Sequence, residues 1–163
     1  MELSEFDLKY ESRGPMKAQF LADFLIELPP MTEKNDWWSL NVDGSSNKKG
    51  GGAGVILEGP DELTVEQAIR FGVETSNNQA EYEALIAGLK LARELGVKQL
   101  RCQSDSQLVT RQINDEFQTK EPLLQKYYHI ARSLIDKFEK FTITHVLRTA
   151  NERANILSKL AST

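Results

Sequence analysis

The spacing of apolar residues changes near residue 37, and this change predicts how the chain is organised. Before it, apolar residues recur at helical spacing until Pro29-Pro30, which cannot continue a helix. From Trp37 onward, apolar and polar residues alternate, which is typical of a strand with one buried face. We therefore predict an N-terminal segment over residues 1–30, a linker over residues 31–36 and a folded domain over residues 37–163.

The domain is predicted to contain strands and helices in the order βββαβααβα. Turn-forming residues at 44–47 and 58–61 separate the first three strands, which favours an antiparallel meander. Helices separate the two later strands from the rest, and such connections favour parallel pairing. The first helix is predicted over about residues 79–95, with Leu95 on its buried face. The predicted fold class is α/β: a mixed five-stranded sheet with helices on both faces.

The composition is that of an ordinary globular protein, with 163 residues of which 40% are hydrophobic and 27% charged. A chain of this length buries enough surface to fold without disulfides, and the single Cys102 cannot form an intramolecular one. No apolar run approaches the ~20 residues that span a bilayer, and the acidic N-terminus lacks the apolar core of a signal peptide. We expect an intracellular protein, in a cytoplasmic particle or the nucleus, that is not secreted and has no membrane partner.

The net charge of −4 does not exclude a nucleic-acid partner. Residues 1–35 contain four Lys or Arg and seven Asp or Glu, whereas residues 36–163 contain sixteen and seventeen. The second part therefore carries only −1, and its remainder would be positive by two if three of its acids held metal ions. Such a balance predicts modest electrostatic affinity for a phosphate backbone.

Three acids and one asparagine stand at the ends of predicted elements. Asp43 falls near the end of the first strand on its polar face, and Asp105 directly follows the fourth strand. Glu81 lies in the first turn of the long helix, and Asn155 lies near the start of the last one. Oxygen ligands gathered in this way suit hard divalent cations, and two such ions can stabilise an in-line phosphoryl displacement. Taken singly, the acids are also typical of turns, first helical turns and helix caps.

Five sequence blocks that contain these positions occur in the order found in ribonuclease H, and the chain resembles that family from Trp37 to Ala161. The blocks are Asn41-Val42-Asp43-Gly44-Ser45, the glycine-rich stretch 50–54, Asn77-Asn78-Gln79-Ala80-Glu81, Ser104-Asp105-Ser106-Gln107 and Asn151-Glu152-Arg153-Ala154-Asn155. The resemblance implies a ribonuclease H fold and hydrolysis of the RNA strand of RNA–DNA hybrids with two Mg²⁺ ions, for which Mn²⁺ can substitute. It also implies that Asp43, Glu81 and Asp105 are metal-binding, catalytic acids.

Asn155 departs from the family pattern, which has an aspartate at this position. Its amide oxygen can still reach a metal ion but carries no charge, so the resemblance implies a weaker catalytic metal ligand and reduced turnover. Three explanations stay open: a deliberate replacement, a natural weakening, or a site that works with three acids. The alternative function is a catalytically impaired module that binds nucleic acid or serves as a scaffold, and other nuclease chemistry on the same fold ranks lower.

The resemblance also implies which residues contact the hybrid. One residue, Ser76, matches a position near a phosphate, and five match positions that contact the minor groove: Gly44, Ser45, Asn77, Asn78 and Gln79. Small polar groups suit close approach to 2′-hydroxyls, although helix capping also explains the two asparagines. His145 matches a mobile auxiliary histidine, with strand-end packing as the alternative. Residues 109–122 lack the basic protrusion of some family members, which predicts weak, salt-sensitive binding.

The first 30 residues carry a second resemblance. Residues 2–7, 17–19 and 21–25 are similar to the end of the reverse transcriptase–ribonuclease H segment of plant gypsy-class LTR retrotransposons. Ala22-Asp23-Phe24-Leu25 also echoes Ala154-Asn155-Ile156-Leu157 within this chain. The resemblance implies a second ribonuclease H domain, as in the Tat lineage, that follows the tail of a first. Besides the RNA–DNA hybrid, the reverse transcriptase part of the same polyprotein is then an expected partner.

Overall fold

The computed structural model describes residues 36–47, 50–71 and 75–162. The predicted N-terminal segment and nearly all of the predicted linker lie outside these residues. Inside them, strands and helices follow one another in the predicted order. They are β1 (Trp37–Asn47), β2 (Gly50–Glu58), β3 (Thr64–Phe71), α1 (Asn77–Glu94), β4 (Gln99–Ser104), α2 (Gln107–Ile113), α3 (Pro122–Ile135), β5 (Lys140–His145) and α4 (Glu152–Ser162). Short 3₁₀ turns, Pro60–Glu62 and Arg148–Asn151, precede β3 and α4. None of the described helices combines the length and the apolar character needed to cross a membrane.

The strands form one mixed sheet in the order β3-β2-β1-β4-β5. The three sequence-adjacent strands β1, β2 and β3 pair antiparallel, as short connections allow. β4 pairs parallel to β1, and β5 pairs parallel to β4, each after a helical connection. The prediction of a mixed five-stranded sheet with an antiparallel meander is confirmed.

β1 is longer than predicted, because the expected turn at residues 44–47 belongs to the strand. The antiparallel ladder with β2 continues as far as Asn47, which pairs with Gly50. The polar, glycine-containing sequence indicated a turn, but pairing with the glycine-rich start of β2 satisfies its backbone groups instead. Asp43 therefore lies inside β1 rather than near its end.

One face of the sheet is covered by α1. Leu40 and Val42 on β1 are fully buried, and a Cβ added to Gly88 of α1 would lie 2.9–3.0 Å from their methyl groups. Leu95 is 45% exposed, so its predicted place on the buried face is wrong. The helix ends one residue earlier, and Gly96, with a φ of 77°, makes the turn between the helix and β4.

The other face of the sheet is covered by α4, whose backbone lies directly on β2. A Cβ added to Gly54 would lie 2.1 Å from the carbonyl oxygen of Ala154, and one added to Gly52 would lie 2.5 Å from that of Ser158. These distances are far below van der Waals contact, so only glycine at both positions permits this close approach. The predicted placement of helices on both faces is confirmed.

A buried amide fixes the point at which α4 begins. Asn151 is 2% exposed, and its Nδ2 donates a hydrogen bond to the carbonyl oxygen of Val42 over 2.9 Å. Its Oδ1 accepts from Asn41 Nδ2 over 3.1 Å, and the same Asn41 amide donates to Gln103 Oε1 on β4 over 3.0 Å. Because these bonds connect α4 to two strands, the first turn of the helix is held above β1 and β4.

We predict that Gly54→Ala destabilises the domain by about 2 kcal/mol or more, because the new methyl group meets backbone atoms that cannot rotate away. The measurement is the free energy of unfolding from urea titration. The matched control is Gly88→Ala, whose methyl group would meet only the ends of the Leu40 and Val42 side chains. Gly88→Ala should lower the free energy of unfolding much less, since alanine also favours the helix by roughly 1 kcal/mol over glycine. Equal losses in the two variants would contradict the prediction.

Candidate active site

Asp43 is the most deeply buried acid of the described residues. Its side chain points to the α4 face of the sheet, and the residue is 1% exposed. Oδ2 accepts two hydrogen bonds, from Asn155 Nδ2 over 2.9 Å and from Ser158 Oγ over 2.7 Å. Oδ1 is buried without a hydrogen-bond partner. A buried carboxylate oxygen with no partner is costly, so this atom is a candidate for binding a cation.

Glu81 reaches the site from α1. The helix begins after Ser76, whose hydroxyl accepts from the backbone N–H of Gln79, and the Gln79 side chain accepts from Ser76 in return. Glu81 is therefore the fifth residue of α1, slightly beyond the predicted first turn. Its Oε1 accepts a hydrogen bond from the Gly44 backbone N–H over 3.0 Å. A Cβ on Gly44 would lie 2.2 Å from the Ala80 backbone, so glycine is required for this approach.

Asp105 lies between β4 and α2, as predicted. The N-cap of α2 is Ser106, which accepts from the Val109 backbone N–H over 3.2 Å, so capping does not explain Asp105. The Asp105 side chain is 4% exposed, and its Oδ2 forms an ion pair with Arg148 Nε over 3.3 Å. Its Oδ1 is buried without a hydrogen-bond partner, like that of Asp43.

The sheet topology brings the two aspartates together. The parallel pairing of β1 and β4 ends at Val42 and Ser104, and Asp43 and Asp105 are the next residues on the two strands. With Glu81, each offers one carboxylate oxygen, and these three atoms lie within 4.8 Å of one another. Closely spaced carboxylate oxygens are the donor set that Mg²⁺ or Mn²⁺ prefers. Two carboxylate oxygens of the cluster, one on each aspartate, also have no hydrogen-bond partner. The residues present therefore fit a divalent cation.

The electrostatics of the cluster point the same way. Burial, together with the adjacent Asp105, raises the pKa of Asp43 to about 6. Burial, followed by the charge of Asp43, raises the pKa of Glu81 to about 8, although the Gly44 N–H opposes this shift. Both shifts arise because negative charges are held close together away from water. A divalent cation would relieve this repulsion and return the carboxyl groups to their ionised form.

Asn155 is brought to the cluster, but as a hydrogen-bond donor. Its amide nitrogen, not its oxygen, faces Asp43. Two further contacts were missed from the sequence: Ser158 donates to Asp43, and Arg148 pairs with Asp105. Ser158 follows Asn155 by three residues on a helix, and this spacing places both side chains on the same face. Helical spacing was thus the available signal for Ser158, whereas the ion pair of Arg148 depends on tertiary structure.

Most residues predicted to contact nucleic acid lie around the start of α1. Asn77 Oδ1 accepts from the hydroxyl of Ser46 on β1 over 2.7 Å, and Asn78 is half-buried in the same first turn. Ser45 lies on the α4 side instead, with its Oγ 3.4 Å from that of Ser162. Ser76 and Gln79 cap the helix, and Gly44 contacts Ala80, as described above. Apart from Ser45, these positions lie at the start of the helix that carries Glu81 or, for Gly44, in hydrogen-bond contact with it. The role of all six toward nucleic acid stays a prediction.

His145 is exposed at the end of β5. It pairs in register with Ser104, the residue that precedes Asp105. The fold therefore places His145 on the strand next to the acidic cluster, and its auxiliary role stays a prediction.

A family model described as "Reverse transcriptase-like" matches residues 41–161. The chain is 38% identical over 122 residues to ribonuclease HI of Halobacterium salinarum, a match that covers 73% of this chain and 61% of that relative. The chain thus spans less than two thirds of the length of this curated relative. The matched region contains all four positions of the site: Asp43, Glu81, Asp105 and Asn155.

Solved structures have the same fold. RNase H1 of Halobacterium salinarum NRC-1 superposes with a TM-score of 0.73 at 36% identity, covering 77% of this chain and 96% of that one. LC11-RNase H1, solved in complex with an RNA/DNA hybrid, gives a TM-score of 0.70 at 28% identity with 77% and 96% coverage. The prototype foamy virus protease-reverse transcriptase gives 0.62 at 18% identity and matches over 20% of its chain, which indicates the fold alone.

We predict that the chain, stripped of metal with EDTA, loses stability as the pH rises from about 4 to about 8. The folded pKa values of Asp43 and Glu81 are raised, so the folded state binds more protons than the unfolded chain across this range. Stability is then greatest below the ordinary carboxyl pKa and is lost as the pH passes through the raised values. Asp43 alone should contribute a loss on the order of 3 kcal/mol, since one pKa unit corresponds to about 1.4 kcal/mol.

The measurement is the free energy of unfolding at several pH values. Asp43→Asn should flatten the slope, and Mg²⁺ should restore stability at high pH. Glu94→Gln, at the exposed far end of α1, serves as the control and should keep the parent slope. Stability that increases over the same pH range would contradict the assigned cause.

Proposed function

The chain belongs to the ribonuclease H family, and on that premise we propose that it is an endoribonuclease that hydrolyses the RNA strand of RNA–DNA hybrids. The observation that carries the proposal is the convergence of Asp43, Glu81 and Asp105, whose nearest carboxylate oxygens lie within 4.8 Å of one another. The hybrid bound by a relative, LC11-RNase H1, supports this choice of substrate.

The roles of the residues follow from their chemistry. Asp43, Glu81 and Asp105 would hold two divalent cations, Mg²⁺ or in its place Mn²⁺, which supply Lewis acidity for the attacking water and the scissile phosphate. No side-chain nucleophile is then required. Asn155 contributes a neutral amide where a further carboxylate would strengthen cation binding, so the proposed turnover is reduced. The fixed positions of the acids support orientation without reorganisation during the reaction.

Recognition of the hybrid is proposed to rest on small polar groups around the start of α1. Asn77, Asn78 and Gln79, with Gly44 and Ser45 on β1, present backbone and amide groups suited to 2′-hydroxyls in a shallow minor groove. Only eight residues, 114–121, connect α2 to α3, so this connection contains no basic protrusion that could increase affinity for the hybrid. Together with the charge of −1 on residues 36–163, this supports weak and salt-dependent binding by the isolated chain.

We also propose that the chain is a second ribonuclease H domain of a plant gypsy-class, Tat-like LTR retrotransposon polyprotein. The similarity of residues 2–25 to the end of a preceding reverse transcriptase–ribonuclease H segment supports it, as does the reverse transcriptase-like family model. The polymerase part of the polyprotein would then be a partner that supplies additional affinity for the hybrid. The location proposed is a cytoplasmic particle or the nucleus.

A second candidate function is a nucleic-acid-binding or scaffolding module with little or no cleavage. The observation that favours it is the contact of the Asn155 amide nitrogen with Asp43, which places a hydrogen-bond donor where the family has a fourth carboxylate. The three remaining acids favour the enzyme.

We predict that the parent chain cleaves a labelled RNA–DNA hybrid slowly in Mg²⁺ and in Mn²⁺. Asp43→Asn should lower the rate at least about 100-fold, because the buried ligand shared by the cluster loses its charge. Asn155→Asp should raise the rate by roughly tenfold, because it adds a carboxylate beside Asp43. The measurement is single-turnover cleavage of the labelled RNA strand.

Two controls make this assay specific. Glu94→Gln on α1 should leave the rate unchanged, whereas Glu81→Gln on the same helix should lower it. A DNA duplex of the same sequence should stay intact. If neither the parent nor Asn155→Asp cleaves in either metal at low salt, the enzyme is ruled out and the binding module takes its place.

We also predict that hybrid affinity falls about tenfold or more between roughly 50 and 200 mM NaCl, because phosphate contacts release counterions. The affinity is measured by fluorescence anisotropy of a labelled hybrid in the presence of Ca²⁺ at each salt concentration. An affinity that does not change with salt would contradict phosphate-dominated binding.

A further inference from the structure

The two carboxylate oxygens of Asp43 have different surroundings. Oδ2 accepts hydrogen bonds from Asn155 Nδ2 over 2.9 Å and Ser158 Oγ over 2.7 Å, whereas Oδ1 accepts none. A carboxylate can hold two cations by offering one oxygen to each. In this chain, one oxygen is already occupied by two donors from α4.

Ser158 holds its donor position firmly. The residue is fully buried, and its backbone carbonyl lies directly against Gly52 of β2, so its place in the packed interface between helix and sheet is fixed. Its hydroxyl has one proton and two acceptors in reach: Asp43 Oδ2 over 2.7 Å and the Asn155 backbone oxygen over 2.9 Å. The carboxylate is the stronger acceptor, so Ser158 directs its hydroxyl proton to Asp43 Oδ2.

The two donors differ in how they can release Asp43. Ser158 can rotate its proton to the Asn155 backbone oxygen, which costs one charge-assisted hydrogen bond. The half-exposed Asn155 side chain must turn its amide so that oxygen replaces nitrogen. Both changes are required before Oδ2 can contact a cation, because N–H and O–H groups directed at a cation repel it.

We propose that Asn155 and Ser158 together close Asp43 Oδ2 by hydrogen bonding, so that the substrate-free chain binds one divalent cation firmly and a second only weakly. The inference rests on the proposed function and specifies the metal occupancy of that site. The firmly held cation uses the unpartnered oxygens of Asp43 and Asp105 with the carboxylate of Glu81. Ser158 is thus a positioning residue that acts through Asp43.

The test counts Mn²⁺ ions bound to the whole chain without nucleic acid, using the electron paramagnetic resonance signal of free Mn²⁺. At low Mn²⁺ concentrations, the parent should bind one Mn²⁺ per chain. Asn155→Asp combined with Ser158→Ala removes both donors and should bind two. Each single variant should tighten the second site by about tenfold or more, as changes to groups that hold a ligand typically do.

The matched control is Ser162→Ala, one turn further along α4. Ser162 contacts Ser45 and Asn47 rather than Asp43, so this variant should keep one Mn²⁺. Circular dichroism and urea unfolding verify that each variant is folded. Should Ser158→Ala fail to fold, the half-exposed Asn155→Asp still tests the inference by itself.

The outcomes separate this inference from the proposed function. A parent that binds two Mn²⁺ equally well overturns the inference but does not contradict the proposed ribonuclease activity. A double variant that stays at one Mn²⁺ also overturns it. A parent that binds none overturns both the inference and the metal centre, and the cleavage assay shows that result independently.

Discussion

The close contact between α4 and the glycine residues of β2 is the constraint on which the site depends. Gly54 pairs with Asp43 across the sheet and lies under the carbonyl of Ala154. With any larger residue at position 54, the helix would be lifted from the sheet. Asn155 and Ser158 would then lose hydrogen-bonding distance to Asp43, and the amide of Asn151 would lose its strand partners. The seating of one helix thus decides both the packing of that face and the surroundings of the most buried acid.

The opposite face of the sheet follows the same rule with a different glycine. Neighbouring residues on a strand point to opposite faces, so Gly44 faces α1 where Asp43 faces α4. The absence of a side chain at Gly44 lets α1 approach until Glu81 accepts a hydrogen bond from the strand backbone. Asp105 joins them because β1 and β4 stop pairing one residue before each aspartate. One helix and two strands therefore place their acids at one point without any long flexible connection.

Much of this arrangement could be predicted from local sequence. Alternating residues after Trp37 indicated β1, and the spacing of helices between later strands indicated parallel pairing; both are confirmed. The extension of β1 through residues 44–47 could not be predicted, because glycine and serine have turn propensity and only pairing with β2 decides otherwise. Leu95 matched the helical spacing but lies just beyond the end of α1, where periodicity no longer determines burial.

Within the candidate site, the sequence indicated the acids but not the groups that surround them. Ser158 has an ordinary residue type, and its hydroxyl matters only because α4 is seated against β2. Arg148 is the first residue of a 3₁₀ turn. Its ion pair with Asp105 depends on where tertiary contacts place that turn, and no sequence motif indicates this. Hydrogen-bond partners of this kind depend on distances between elements, which a pattern along one chain does not contain.

Asn155 also changes the balance between stability and cation binding. Asp43, Glu81 and Asp105 already repel one another in a buried cluster, as the raised pKa values of Asp43 and Glu81 indicate. A fourth carboxylate would add repulsion in the metal-free protein, whereas the amide of Asn155 donates a hydrogen bond that stabilises the ionised form of Asp43. The same hydrogen bond competes with any cation for Oδ2. An amide at this position therefore stabilises the metal-free fold through the interaction that weakens the site for metal, and stability and cation affinity are opposed at a single oxygen atom.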